Sequence, residues 1–214
     1  MEQTIYHHAC LLVGAGHAVC VVTGRGEPFH PSVPVHLVPE AGSRHPNVLT
    51  VQESLAQGQV PQAFHALRER LVAALRPLLA QVDCCIVHNA LTLHKNLALT
   101  AALRDLAEAE VTRLIAWCHD FAWQDALYTP DLHPGYPWDL LRQPWPGVRY
   151  VVVSEHQRAQ LARLMGLAPG DIRVVPPGVD VATFLKLEPE TWDLVQRLRL
   201  LEADPLLLLP ARVT

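Results

Sequence analysis

The sequence predicts an α/β fold in which helices cover both faces of a parallel sheet. Short runs rich in β-branched residues alternate along the 214 residues with longer segments whose apolar residues recur every three or four positions. A repeated order of strand, helix and strand favours parallel strands joined by helical crossovers. Half of the residues are apolar and only 18% are charged, so we expect a large buried core and an ordered chain.

The first quarter of the chain is predicted to contain one helix and two short strands. Residues 1–13 have apolar positions at helical spacing and run into Gly14 and Gly16, which is typical of a helix C-terminus. Strands are expected at residues 18–23 and 35–38, where β-branched residues cluster. The mostly polar segment after the second strand, residues 39–58, is predicted to be a loop.

Two amphipathic helices and three strands follow. Strands are predicted at residues 84–88, 114–118 and 150–153, which are short apolar runs. A helix precedes the first of these strands and another follows it, each with one buried stripe. The stripe residues are Val60, Phe64, Leu67, Leu71 and Leu75 in the first helix and Leu99, Leu103 and Leu106 in the second.

The last predicted helix begins with a capping motif. Ser154 is followed three residues later by Gln157, which is the spacing of a capping box. The helix should end at Gly166, because glycine is favoured just after a helix C-terminus. A final short strand is expected at residues 172–175.

A proline-rich turn ends that strand, in the sequence IRVVPPGVDVATF at residues 172–184. Pro176 and Pro177 lack N–H donors, and Gly178 is expected to supply a backbone conformation that other residues resist. The segment resembles the (I/V)PNGVDxxxF signature that closes the N-terminal domain of group 4 (group 1-like) glycosyltransferases with the two-domain GT-B fold. Pro177 stands where that family usually has Asn. The resemblance implies a Rossmann-like sheet and includes Gly178 among the substrate-binding residues.

A second motif, IAWCHD at residues 115–120, runs from a strand into a His-Asp pair. Ligands of open α/β sheets bind beside the carboxyl ends of strands, so His119 is expected to face a cleft. In the resembled family a histidine here contacts the sugar donor near the reacting centre, which implies this catalytic role for His119. Asp120 is expected to orient the loop and to line the substrate site. The simpler alternative is that His119 only bonds neighbouring backbone.

The third motif is VHNALTLHKN at residues 87–96. Asn89 and Lys95 offer hydrogen-bond partners for sugar hydroxyls, and Lys95 offers a cation for an acceptor phosphate. Alternatively the loop only caps the next helix, because Asn and Thr are ordinary capping residues. The aromatic span at residues 121–146 is long for a loop, and both acceptor recognition and simple packing remain open.

The two ends of the chain lead to a hypothesis about domain organisation. Residues 1–184 are predicted to form the acceptor-side domain, and residues 185–214 a linker and the first strand of a donor-binding domain. The chain opens in a helix where a doubly wound domain has a strand, so we expect a fragment without its first strand. Arg212 follows a predicted strand at residues 206–209, where the family uses an arginine to hold the donor's pyrophosphate.

The resemblance implies transfer of a hexose from a nucleotide-sugar donor to a carbohydrate, lipid or small-molecule acceptor, with retention at the anomeric carbon. It implies no cofactor and no catalytic metal. The family's donor-binding glutamates would lie beyond Thr214, so we expect no measurable transfer by the isolated chain and recovery in a form extended at both ends. Two alternatives stay open: a noncatalytic sugar- or partner-binding module, and a His-Asp metal phosphohydrolase.

Charge and cysteine content restrict the partners and the compartment. A net charge of −4 gives no electrostatic reason to expect a nucleic acid, so the substrate should be small. Five cysteines without a CxxC pair indicate reduced thiols. No apolar run reaches the roughly 18 residues of a membrane span, and no signal peptide is evident. We therefore expect a cytoplasmic protein without a transmembrane segment.

Overall fold

Parallel strands flanked by helices form the core, as the sequence predicts. The structure is a computed structural model that describes residues 2–178, 181–185 and 188–205. The chain divides into two units, residues 1–176 and 177–214. The domain boundary predicted after residue 184 stays a prediction.

The chain begins with a helix and a small sheet. Helix α1 is Glu2–Gly14, and strands β1, Val21–Thr23, and β2, Val35–Leu37, pair in parallel in a sheet of their own. The first strand is shorter than the predicted residues 18–23. Its ladder starts at Val21, whose N–H donates to the carbonyl of Pro34, because a proline has no N–H with which to extend the pairing.

The prediction of a loop for residues 39–58 is wrong, because a helix occupies most of this segment. After a short 3-10 turn, Pro39–Ala41, helix α2 spans Pro46–Ala56. The Nδ1 of His45 accepts a hydrogen bond from the backbone N–H of Asn47 at 3.3 Å and caps the helix. The polar composition concealed a sparse apolar stripe whose spacing is helical. The buried stripe residues are Val48, Val51 and Leu55.

Two longer helices supply the largest part of the core. Helix α3 is Gln62–Leu79 and helix α4 is Leu97–Glu108, and the predicted stripe residues lie on them except Val60, which precedes α3. Phe64, Leu67 and Leu71 are fully buried. They belong to one continuous cluster with the apolar side chains of α4 and of the main sheet.

Within the described residues the main sheet has four parallel strands in the order β3-β4-β5-β6. Their bounds are Cys84–His88, Arg113–Cys118, Arg149–Val152 and Ile172–Val174. The register aligns Val87, Ala116, Tyr150 and Ile172 in one buried row. Because all four strands run the same way, the loops that follow their carboxyl ends meet at one edge of the sheet.

Helix α5, Glu155–Met165, returns from that edge along the sheet. Ser154 caps it, since the Ser154 Oγ accepts a hydrogen bond from the N–H of Gln157 at 3.2 Å. Gly166 follows in the left-handed region at φ 66°, as predicted. Described residues contain no helix with the length and apolar composition that a membrane crossing requires.

The second unit contains helix α6, Val181–Leu185, and helix α7, Pro189–Arg197. At the proline turn before it, Gly178 is exposed and its φ lies outside the left-handed region. The expectation that Gly178 adopts a conformation other residues resist is therefore wrong, because the two preceding prolines already stop the strand. The strand predicted at residues 206–209 lies outside the described residues.

The buried leucine stripe of α3 should carry much of the stability. We expect Leu67→Ala to lower the free energy of unfolding by about 2–5 kcal/mol, because it leaves a cavity in the core. The matched control is Leu11→Ala on α1, whose side chain is 71% exposed and which should cost less than about 0.5 kcal/mol. Urea unfolding of both variants checks this, and equal losses would contradict the position of the core.

Candidate functional site

The predicted site residues that follow β3 and β4 lie together at the carboxyl edge of the main sheet. Asn89 comes directly after β3, and His119 and Asp120 come directly after β4. The backbone N–H of Asn89 donates to the carbonyl of Trp117 at 2.9 Å, which extends the strand pairing by one step. Asn89 has φ 60°, in the left-handed region that asparagine tolerates better than most residues.

The side chain of Asn89 binds both residues of the His-Asp pair. Its Oδ1 accepts hydrogen bonds from the backbone N–H of His119 at 2.6 Å and of Asp120 at 3.3 Å. Its Nδ2 donates to the Oδ2 of Asp120 at 2.9 Å. We call this arrangement of Asn89, His119 and Asp120 the asparagine clamp. Asn89 is 4% exposed, so its polar atoms serve the loop here, and its substrate-binding role stays a prediction.

A residue outside the predicted site, Gln157, holds the same loop from α5. Its Nε2 donates to the carbonyl of His119 at 2.6 Å, and its Oε1 accepts from the N–H of Val153 at 3.1 Å. A capping box would send this side chain back to the N–H of Ser154. The capping motif therefore predicted the start of the helix at Ser154 correctly. It did not predict that the side chain of Gln157 binds the backbone of His119.

His119 is partly exposed at the sheet edge, while its Nε2 is buried without a hydrogen-bond partner among the described residues. Burial lowers the pKa of His119 below its usual value, although the neighbouring Asp120 carboxylate acts in the opposite direction. A histidine with a lowered pKa is neutral at pH 7. A neutral imidazole has one N–H donor and one acceptor nitrogen, so it can pair with a hydroxyl group.

His119 is one of four rings that form a cluster, and His88 is the ring in contact with it. His88 at the end of β3 stacks on His119 with ring centroids 5.9 Å apart and on Trp117 with centroids 6.0 Å apart. His8 of α1 contacts Trp117 at 4.3 Å and His88 at 5.3 Å. We call His8, His88, Trp117 and His119 the ring cluster. Sequence reasoning missed its other three members, because α1, β3 and β4 meet only in the fold.

Lys95 lies in the loop between β3 and α4, in contact with aromatic rings. Its Nζ is 4.0 Å from the ring centroid of Tyr128 and 3.5 Å from the Nε2 of His94. No carboxylate of the described residues forms a salt bridge with it. A cation over a tyrosine face is stabilised by the ring's negative charge distribution. The predicted contact of Lys95 with substrate stays a prediction.

His94 is 3% exposed and uncharged at neutral pH. Burial and then the Lys95 ammonium lower the pKa of His94 to about 4, against the opposing effect of Asp131 and Asp125. The Nε2 of His94 is 3.8 Å from Asp131, but this contact is an ion pair only when the imidazole is protonated. At pH 7 it is therefore a polar contact without a charge pair.

The long aromatic span is mainly packed into the protein. Trp138 and Trp145 are each 3% exposed. The Nε1 of Trp123 donates to the carbonyl of Trp138 at 3.1 Å, and the Arg142 guanidinium lies 4.1 Å from the ring centroid of Trp123. These contacts favour the packing alternative for the three tryptophans.

The remaining candidates among the described residues do not extend the site at the sheet edge. No group of three or more potential metal ligands is present in that part of the chain. A cleft of about 290 Å³ is lined by Arg68 and Asp105, but these two charges bind each other at 2.5 and 2.7 Å. Gly178 belongs to the unit of residues 177–214, and Arg212 lies outside the described residues.

The asparagine clamp can be tested by removing the side chain of Asn89 without straining the backbone. We expect Asn89→Gly to lower the free energy of unfolding by about 1–3 kcal/mol, because two N–H groups lose their acceptor. Glycine accepts the left-handed φ of this position.

The matched control is Glu110→Gly, an exposed residue that also has a positive φ, of 50°. It should leave stability within about 0.5 kcal/mol of the wild-type value. If thermal and urea unfolding show the same change for both glycine variants, the side chain of Asn89 does not stabilise the loop.

The lowered pKa of His94 predicts a loss of stability in acid. The unfolded imidazole takes up a proton near pH 6.5, whereas the folded one stays neutral down to about pH 4. The unfolded state then binds more protons, so the free energy of unfolding should fall by up to about 3 kcal/mol between these pH values.

The variant His94→Phe should show a smaller fall over the same interval, because its side chain does not titrate. His156→Phe, at an exposed position on α5, serves as the control and should follow the wild-type chain. Urea unfolding at pH 7 and pH 4.5 measures the difference, and identical pH dependence in all three proteins would contradict the neutral state of His94.

Comparison with known proteins agrees with the geometry. A model of the family described as Glycosyltransferase Family 4 matches residues 1–183. The comparison with curated proteins and the comparison with solved structures gave no match. The family match includes all of β1–β6 and therefore the whole sheet edge that carries the asparagine clamp. Because the match includes most of the chain, we conclude that the chain belongs to glycosyltransferase family 4.

Proposed function

We propose that the chain forms the acceptor-side wall of a glycosyl-transfer site. The reaction is the transfer of a hexose from a nucleotide-sugar donor to a hydroxyl of a carbohydrate, lipid or small-molecule acceptor, with retention at the anomeric carbon. The observation that supports it is the neutral, partly exposed His119 at the carboxyl edge of the sheet in a member of this family.

The chemistry of transfer suits a neutral polar group at this place. A bond forms between the acceptor oxygen and the anomeric carbon, and the bond from that carbon to the diphosphate oxygen breaks. The nucleoside diphosphate leaves with the bonding electrons and takes up the proton that the acceptor hydroxyl loses. A neutral imidazole can hydrogen-bond a sugar hydroxyl near the reacting carbon without adding a charge. Because the Asn89 and Gln157 contacts hold its backbone N–H and carbonyl, the side chain of His119 would start from a fixed point beside the sugar.

The remaining predicted contacts are part of the same proposal. Asp120 is exposed beside His119 and would line the sugar site, with one carboxylate oxygen held by Asn89. Lys95 would meet a polar group of the acceptor, and Gly178 and Arg212 would contact the donor. The five cysteines are free thiols, in agreement with a reducing compartment such as the cytoplasm.

Two alternatives differ from this proposal in what they predict. A noncatalytic sugar- or partner-binding module would bind a sugar and transfer nothing. A metal phosphohydrolase needs several carboxylate or imidazole ligands around a metal, and no such group is found among the described residues. The structure therefore gives the phosphohydrolase no support.

Transfer should depend on the imidazole of His119. We expect the 214-residue chain alone to show no transfer. A joined form, extended before Met1 and after Thr214 by the corresponding segments of another family member, donor-binding domain included, should transfer hexose from one donor of a nucleotide-sugar panel. In that joined form His119→Ala should lower kcat/KM by about 100-fold or more, because a hydrogen bond at the reacting centre is lost.

The control is His36→Ala, which removes an exposed imidazole on β2 and should leave kcat/KM unchanged. Release of the nucleoside diphosphate and formation of glycosylated acceptor are measured together. Equal rates for His119→Ala and the joined wild-type form would contradict the role of His119. Sugar binding without any transfer would favour the noncatalytic module.

A further inference from the structure

The ring cluster contains most of the unpartnered buried nitrogen atoms in the described residues. His8 Nδ1, His88 Nδ1, Trp117 Nε1 and His119 Nε2 are all buried without a hydrogen-bond partner there, whereas only His94 and Trp138 have such an atom elsewhere. A buried polar atom without a partner costs free energy, so such a concentration calls for a functional explanation. The cost is lowest when every imidazole is neutral.

His88 is the central member of the cluster. It contacts each of the other three rings, with centroid distances of 5.3 Å to His8, 6.0 Å to Trp117 and 5.9 Å to His119. Its ring plane is inclined by only 20° to that of His119 and by 29° to that of Trp117. The imidazole of His119 therefore lies against a nearly parallel ring from the neighbouring strand.

His88 packs against these rings as a neutral imidazole at pH 7. Burial, followed by the neighbouring imidazoles of His8 and His119, lowers the pKa of His88 to about 4. The same order of causes, burial and then His119, lowers the pKa of His8. The imidazoles of His8 and His119 are thus side chains that disfavour a charge on His88, whereas the Asp120 carboxylate favours a charge on His119.

We propose that His88 is a positioning residue, whose neutral ring fixes the plane of the His119 imidazole and keeps water from one face of it. The asparagine clamp and Gln157 hold the backbone of His119, but they leave rotation of its side chain free. The stacked ring of His88 restricts that rotation. This role in glycosyl transfer rests on the function proposed above, whereas the exclusion of water from the ring can be measured without any sugar.

The titration of His119 provides the test. In the 214-residue chain, the His119 ring signal is followed by NMR from pH 4 to pH 8 and is assigned by its loss in His119→Asn. His88→Phe keeps a flat ring, so the pKa of His119 should stay near its wild-type value. His88→Ala removes the ring and admits water, so that pKa should rise toward the ordinary value of about 6.5.

His88→Val, which suits a β-strand and has no ring, takes the place of His88→Ala if the latter does not fold. His36→Ala is the matched control on β2 and should leave the His119 titration unchanged. Unfolding curves verify that each variant is folded. The proposal is overturned if the ringless variant titrates like the wild-type chain, or if His88→Phe raises the pKa of His119 as much as the ringless variant does.

The proposal and the function it serves can fail separately. In the transferring joined form, the ringless variant should lower kcat with little change in KM for the donor, because His119 is misoriented and not removed. If the titration behaves as expected and no nucleotide-sugar is used, the positioning role stands and the proposed function fails.

Discussion

The hydrogen bonds of Asn89 connect the loops after β3 and β4, and the positions of His119 and Asp120 depend on them. Parallel strands bring these loops to one edge, but they do not fix the backbone beyond the last ladder bond. Asn89 continues the ladder through its N–H to Trp117 and then accepts from His119 and Asp120 with its side chain. Without that acceptor, the two N–H groups would have to bond water, and the backbone of His119 would be less firmly held.

Burial of nitrogen atoms sets the chemistry of this edge. The ring cluster places imidazoles against one another, where a positive charge would be repelled and poorly solvated. Each unpartnered buried nitrogen costs about 1–3 kcal/mol, and the packed leucines of α3 and α4 must offset this. The result is a group of neutral imidazoles beside the exposed carboxylate of Asp120.

The order of strands and helices could be predicted because local patterns encode it. The runs at β3 and β4, the stripe of α3 and the cap at Ser154 each lie within a few consecutive residues. Helix α2 escaped prediction because its three buried residues are diluted by polar ones. A segment of this kind is helical only because tertiary contacts bury that stripe.

The candidate site was predictable in its residues and less so in their contacts. His119 and Asp120 follow a strand, so the sequence indicates the edge at which they lie. That the side chain of Asn89 binds His119 and Asp120 was not visible, because capping and ligand-binding asparagines look alike in sequence. The stacking of His88 on His119 joins residues from different strands, and no local pattern records it.

The candidate site depends on the hydrogen bond from the His119 N–H to Asn89, at a position beyond the last residue of β4. Amide hydrogen exchange of the 214-residue chain at neutral pH measures it most directly. We expect the His119 amide to exchange at least about 100 times more slowly than an unstructured peptide, and to lose this protection in Asn89→Gly. Exchange of the His119 amide at the rate of an unstructured peptide in the wild-type chain would contradict the clamp and the site that is built on it.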